Sequence, residues 1–247
     1  MTQVEDYSKQ FKRPKCVNKH SAIFPRCIFC IIVGATGCGK TNLMIHLLKK
    51  EKLLNYRDVY IYSSTLYQDA YEFLKEYYEG LEKSYNHKLK QNDVKVAHFY
   101  DADEEIANPE TLDKFKNHIM ILDDVMLKDQ TKIKDYFCRG RHTNVNVFYL
   151  CQSLFQISKK SIRDNANIFI LFKQDDITLA FFHRTHISGD LNFKEFKNFC
   201  DRAWREKYGF VVINKWDDPE CGRYWANYTH IYTPEKYLQP VSDIKEK

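Results

Sequence analysis

Between Cys27 and Leu48 the chain reads CIFCIIVGATGCGKTNLMIHLL, an apolar run that breaks into a glycine-rich turn and resumes as apolar residues at helical spacing. No other stretch restricts the fold as tightly, because strand, tight turn and helix in this order form the unit from which open parallel sheets are built. Within it Gly34, Ala35, Thr36, Gly37, Cys38, Gly39, Lys40 and Thr41 match the phosphate-loop pattern G-x-x-x-x-G-K-[ST]. Glycines at 34, 37 and 39 let the backbone curl and turn its N–H groups inward, at a helix start that already favours anions. Lys40 brings a positive charge to the β- and γ-phosphates, and Thr41 brings the hydroxyl expected on Mg²⁺. The surrounding pattern fits, with Ile31, Ile32 and Val33 leading in and Leu43, Met44, Leu47 and Leu48 forming an apolar helix face. ATP is therefore the expected ligand.

The chain has 247 residues, 44% hydrophobic and 15% aromatic, enough for one α/β domain with extensions. The expected division is a polar, basic arm over 1–22, an ATPase domain over 23–215 and a C-terminal extension over 216–247. A net charge of +5 permits a polyanionic partner without requiring one. No window approaches a membrane-spanning length of apolar residues, and the first residues lack the apolar core of a signal peptide. The expectation is an intracellular protein that does not insert into membranes. The cysteines at 16, 27, 30, 38, 138, 151, 200 and 221 show only one close pair, Cys27 and Cys30, which as strand residues three apart point to opposite faces. Free thiols are expected.

A second piece of chemistry follows the alternating strand 58–63, an aromatic-faced helix over 68–86 and a strand over 94–100. HIMILDD, 118–124, is an apolar strand ending in paired carboxylates. A carboxylate at such a position orients the hydration shell of Mg²⁺, and the next one positions or activates the attacking water. Asp123 is assigned to the metal and Asp124 to the water. After a helix over 132–138 comes GRH, then the strand 145–151, ending in Gln152, which falls on the ligand edge of an open sheet as a sensor of the γ-phosphate or the water. A short helix carries Lys159, Lys160 and Arg163, and further elements are a strand over 167–172, a helix over 193–207 and a strand over 209–214.

The set GATGCGKT, ILDDV, GRH and YLCQS, in that order, closely resembles the poxvirus-type genome-packaging ATPases of the FtsK/HerA superfamily, found in large DNA viruses, virophages and related elements. The resemblance spans about residues 24–175. It implies a RecA-like P-loop NTPase with a mostly parallel central sheet flanked by helices, the Gln152 strand lying between the P-loop and carboxylate strands. It also implies ATP hydrolysis coupled to moving double-stranded DNA into a capsid, with capsid or portal-vertex proteins as partners and a homo-oligomeric ring as the working form. Many relatives carry Glu where Asp124 stands. A ring of this kind commonly completes its site with a neighbour's arginine; Arg141 and Arg163 are the candidates, both expected near the ligand edge, with Arg141 preferred. Lys159, Lys160 and the basic arm are the candidate DNA contacts. Two alternatives stay open: a nucleotide or small-molecule kinase, and a non-catalytic nucleotide-binding interaction protein.

Overall fold

The computed structural model describes residues 20–125, 130–233 and 236–240, the backbone alone being described at 159, 233 and 236–240. The basic cluster from Lys9 to Lys19, and Cys16 with it, lies outside the described residues. Strand β1, Phe29–Val33, is buried on both sides: Phe29, Ile31 and Val33 face one core and Ile28, Cys30 and Ile32 the other. That alternation is what a strand covered by helices on both faces needs. Helix α1, Lys40–Lys49, follows, then strand β2, Asp58–Ser63, helix α2, Asp69–Leu89, strand β3, Ala97–Asp101, and strand β4, His118–Asp123. Next come helix α3, Thr131–Arg139, strand β5, Val145–Cys151, a π-helical turn at Lys159–Arg163 and strand β6, Ile168–Phe172. Helices α4, Asp176–Phe182, and α5, Phe193–Ala203, precede strands β7, Phe210–Asn214, β8, Tyr224–Ala226, β9, His230–Thr233, and β10, Lys236–Pro240.

All ten strands form one sheet, ordered β10-β9-β8-β7-β6-β1-β5-β4-β2-β3. From β6 to β3 neighbours run parallel, and from β6 to β10 they run antiparallel. As expected from the resemblance, β5 lies between β1 and β4. Helices α1 and α2 pack on one face through Leu47, Leu48, Leu74 and Tyr78, and α3, α4 and α5 on the other through Ile133, Phe137, Phe182 and Phe196. Each such side chain removed from water stabilises the fold by ~1.5–3 kcal/mol before conformational entropy is counted.

Several boundaries differ from the pattern-based expectation, each for a visible reason. Strand β3 pairs only from Ala97, because the Glu82 carboxylate of α2 accepts from Val96 N (2.6 Å) and Ala97 N (3.0 Å), and Asn86 accepts from Val94 N (3.0 Å). Side chains thus take the groups that a longer ladder would use. Helix α5 stops at Ala203, short of Lys207, because the chain turns back so closely that a Cβ on Gly209 would lie 2.0 Å from Ala203 O. Phe73, expected on the apolar face of α2, is 48% exposed, with the Lys49 ammonium 4.1 Å from its ring centroid. Helix α4 is started by Asp175, whose carboxylate accepts from Thr178 N (2.8 Å) and Thr178 Oγ1 (2.7 Å).

Beneath the sheet two buried asparagines fix the entry of β1. Asn146 Oδ1 accepts from Ile28 N at 2.9 Å, and Asn167 Oδ1 accepts from Phe29 N at 2.8 Å while its Nδ2 donates to Cys27 O at 2.6 Å. The start of the phosphate-loop strand is thereby tied to its neighbours by side chains as well as by the backbone bonds Val147 N to Ile28 O and Asn167 N to Phe29 O.

Candidate nucleotide site

The site gathers at the C-terminal ends of β1, β4 and β5, the edge where open α/β sheets bind ligands. Gly34 leaves β1 under tight constraint, since a Cβ there would meet Phe172 Cβ at 2.6 Å and Cys38 Sγ at 2.7 Å. Its N–H donates to Cys151 O at 3.2 Å, continuing the β1–β5 ladder into the loop. Gly39, at φ 109°, adopts a conformation open to glycine and starts α1, where its carbonyl accepts from Leu43 N at 2.8 Å. Lys40 Nζ donates back to Gly34 O (2.7 Å) and Ala35 O (3.1 Å), so the ammonium closes the loop on itself rather than standing free.

Thr41 and Asp123, 82 residues apart in sequence, meet at the foot of α1, where Thr41 Oγ1 donates to Asp123 Oδ2 at 3.1 Å. Tyr71, on α2, also donates its hydroxyl to Asp123 Oδ2. Burial pushes the Asp123 carboxyl above its ordinary range, and the hydrogen bonds from Tyr71 and Thr41 pull the other way. Burial, reinforced by the Asp123 charge, drives the Tyr71 hydroxyl upward, so it stays protonated and remains a donor. Asp124 follows β4 with φ 58°, a left-handed conformation that turns its side chain away from the strand's alternation. Gln152 Nε2 donates to Asp124 Oδ1 at 3.3 Å. The sheet order thus brings Asp124 and Gln152 together beside the loop, with β5 as spacer.

A hydroxyl and a carboxylate oxygen side by side are the hard oxygen donors that Mg²⁺ takes, the rest of its shell coming from water and phosphate. Among the described residues there is no cluster of three or more His, Cys, Asp or Glu side chains placed for a metal, and a magnesium ion held partly by a nucleotide does not need one.

A profile of the family described as Poxvirus A32 protein matches residues 9–191. The chain belongs to that family. No curated protein sequence matches it. Among solved structures, this A32-family chain is similar to the genome packaging NTPase B204 from Sulfolobus turreted icosahedral virus 2 in complex with ATP-gammaS. The two share 14% identity over 78% of this chain and 94% of that one, with a TM-score of 0.51. The AMPPCP complex of B204 gives 13% identity, the same coverages and a TM-score of 0.51. B204 described as the DNA-packaging ATPase from Sulfolobus Turreted Icosahedral Virus gives 14% identity, 77% and 93% coverage, and a TM-score of 0.50. The likeness shows a shared fold, a mostly parallel sheet flanked by helices in the packaging-NTPase arrangement.

One of the two arginines lies elsewhere in this A32-family fold than the sequence suggested. Arg141 does not lie near the ligand edge: it precedes β5, in the 3-10 turn Gly140–His142, at the opposite end of the sheet, with its guanidinium 5.3 Å from the Trp216 ring. The reason is topological, since α3 carries the chain back across the sheet before β5 begins. Arg163 is 8% exposed, its guanidinium 5.0 Å from the Phe181 ring. Neither arginine lines the cleft beside the phosphate loop. Lys160 is exposed on the π-helical turn, and the side chain of Lys159 is not described. The cysteines at 27, 30, 38, 138, 151, 200 and 221 are free thiols. No helix among the described residues is long and apolar enough to cross a membrane. Sequence reading gave no site role to Tyr71, one residue of the aromatic face of α2, or to Tyr208, which lies against the phosphate loop.

Proposed function

We propose that this protein is the ATP-hydrolysing motor that moves double-stranded DNA into a virus particle. The observation that carries the reading is the Asp124–Gln152 pair beside the phosphate loop, a carboxylate and an amide held 3.3 Å apart where a water would approach the γ-phosphate. A kinase must keep water out and admit an acceptor; a paired carboxylate and amide open to solvent suit hydrolysis. Family membership and the fold shared with B204, itself described as a packaging ATPase, support the same reading.

In this mechanism the loop's N–H groups bind the phosphates, and Lys40 exchanges the Gly34 and Ala35 carbonyls for phosphate oxygens. Thr41 and Asp123 would hold Mg²⁺, which when bound would supply charge neutralisation to the phosphates. Asp124 takes the proton of the attacking water at the carboxylate oxygen that Gln152 does not engage. Gln152, bonded to Asp124, reports through β5 whether the γ-phosphate is present. The working form is a homo-oligomeric ring inside the infected cell, in contact with capsid or portal-vertex proteins, and it grips DNA through phosphates by Lys159, Lys160 and the N-terminal arm.

A single assay separates the readings. Phosphate release from ATP should be stimulated by duplex DNA of any sequence, and the stimulation should fade as salt rises, because phosphate contacts release counterions. Nucleotide binding without hydrolysis, or transfer of the phosphate to a small acceptor, would replace the motor by one of the alternatives, and hydrolysis indifferent to DNA would remove the coupling to DNA.

A further inference from the structure

Tyr208 stands out because packing does not account for it. Its ring is 53% exposed and its backbone has φ 64°, a left-handed conformation that bulky side chains avoid and that costs about 1 kcal/mol or more. The turn around it is held firmly. Trp204 Nε1 donates to Leu171 O at 3.0 Å, Gly209 N to Glu206 O at 3.0 Å, and Asn227 Nδ2 to Glu206 Oε2 at 3.0 Å. What this bracing achieves is to set the phenol ring against the phosphate loop: a Cβ on Gly39 would lie 3.4 Å from Tyr208 Cδ1. The ring forms one wall of a cleft of about 460 Å³ whose other walls include Gly37, Lys40, Thr41, Asn42 and Gln68. The Lys207 ammonium lies 5.0 Å from the ring centroid.

We propose that Tyr208 is the platform on which the nucleobase of the bound triphosphate stacks, so that this subsite takes a purine in preference to a pyrimidine. The inference rests on the nucleotide reading of the phosphate loop and adds to it the group that recognises the base. Phosphates seated on the loop put the sugar and base beyond Lys40 and Asn42, inside the same cleft. A flat aromatic wall there gains more contact from a two-ring base than from a one-ring base, and exposed Asn42 and Gln68 offer amide donors and acceptors to the ribose and the base edge. Stacking by itself does not separate adenine from guanine.

The test is calorimetric titration with ATP, UTP and inorganic tripolyphosphate, on the full chain and on two variants. Tyr208→Asn keeps a residue that tolerates the left-handed turn while removing the ring; Tyr208→Phe keeps the ring. Loss of one base–aromatic stack corresponds to roughly a 5- to 150-fold weaker Kd. Tyr208→Asn should weaken ATP within that range, narrow the preference for ATP over UTP and leave tripolyphosphate unchanged, and Tyr208→Phe should bind ATP as the parent does. Equal ATP affinity in Tyr208→Asn, or parallel loss of ATP and tripolyphosphate, would overturn the stacking role. Failure of the phosphate-loop reading looks different: the parent chain would bind tripolyphosphate no better than Lys40→Ala does.

Discussion

Lys40 bonds the Gly34 and Ala35 carbonyls, so removing its ammonium both opens the loop and strips the charge that meets the phosphates. Lys40→Ala should abolish hydrolysis and weaken nucleotide binding, read by titration calorimetry; near-normal turnover would place the site elsewhere. Asp124→Asn keeps the size and the partner of the side chain but removes its basicity, so ATP should bind and persist unhydrolysed on the protein. Tyr71→Phe isolates a contact that no motif records. It removes one donor from Asp123 and leaves the ring in its buried place, and outer partners of this kind change metal affinity by about 10- to 100-fold. The Mg²⁺ concentration giving half-maximal hydrolysis should rise by that order, while ATP binding without metal stays the same. Superimposable magnesium titrations would reduce Tyr71 to packing. The loop, Asp123, Asp124 and Gln152 were legible in sequence because each is defined by its neighbours in the chain. Tyr71 and Tyr208 were not, because the first acts across 52 residues and the second depends on a turn whose sign no pattern displays.

At the scale of elements, short apolar or alternating runs bounded by polar residues located β2, β4 and β5 to within a residue. Such patterns failed where side chains compete with the ladder, as Glu82 and Asn86 do ahead of β3, and where Gly209 ends α5 by close approach. The asparagines under β1 belong to the same illegible class. Asn167→Ala should destabilise the protein by ~1–3 kcal/mol, read as a lower denaturant midpoint, because it leaves the Phe29 N–H buried without its partner. A midpoint unchanged from the parent would show that water or a backbone shift replaces the clamp. Asp175 gives a pH-dependent case. The N–H and hydroxyl of Thr178 hold its carboxyl below the ordinary value, so its contribution is complete above the unfolded pKa of about 4 and is lost as pH falls through the lower folded value. Asp175→Ala should therefore cost ~1 kcal/mol at neutral pH, and the gap to the parent should shrink on acidification below about pH 4. A gap independent of pH would mean that the carboxylate charge is not what starts α4.

For the whole molecule, the resemblance supplied the placing of β5 between β1 and β4, and no periodicity in the chain could have supplied it. The resemblance could not place the arginines, because GRH lies close to Gln152 in sequence and a full strand length from it in space. That distance shifts the choice of a neighbour's arginine from Arg141 to Arg163. Arg141 rests on Trp216 at the far end of the sheet, whereas Arg163 is a nearly buried cation whose Nε has no partner among the described residues. That Nε is a donor without an acceptor, which the developing charge on a neighbouring subunit's phosphate would supply. Arg163→Lys, chosen to keep charge and much of the packing, should bind ATP and assemble like the parent but hydrolyse slowly. Loss of an arginine acting in trans lowers the rate by about 10³- to 10⁵-fold. Mixed with Lys40→Ala protein, it should regain part of the activity, since mixed rings contain interfaces where an intact phosphate loop faces an intact arginine. If subunits are shown to exchange and no activity returns, Arg163 serves its own subunit, bracing the π-helical turn against Phe181.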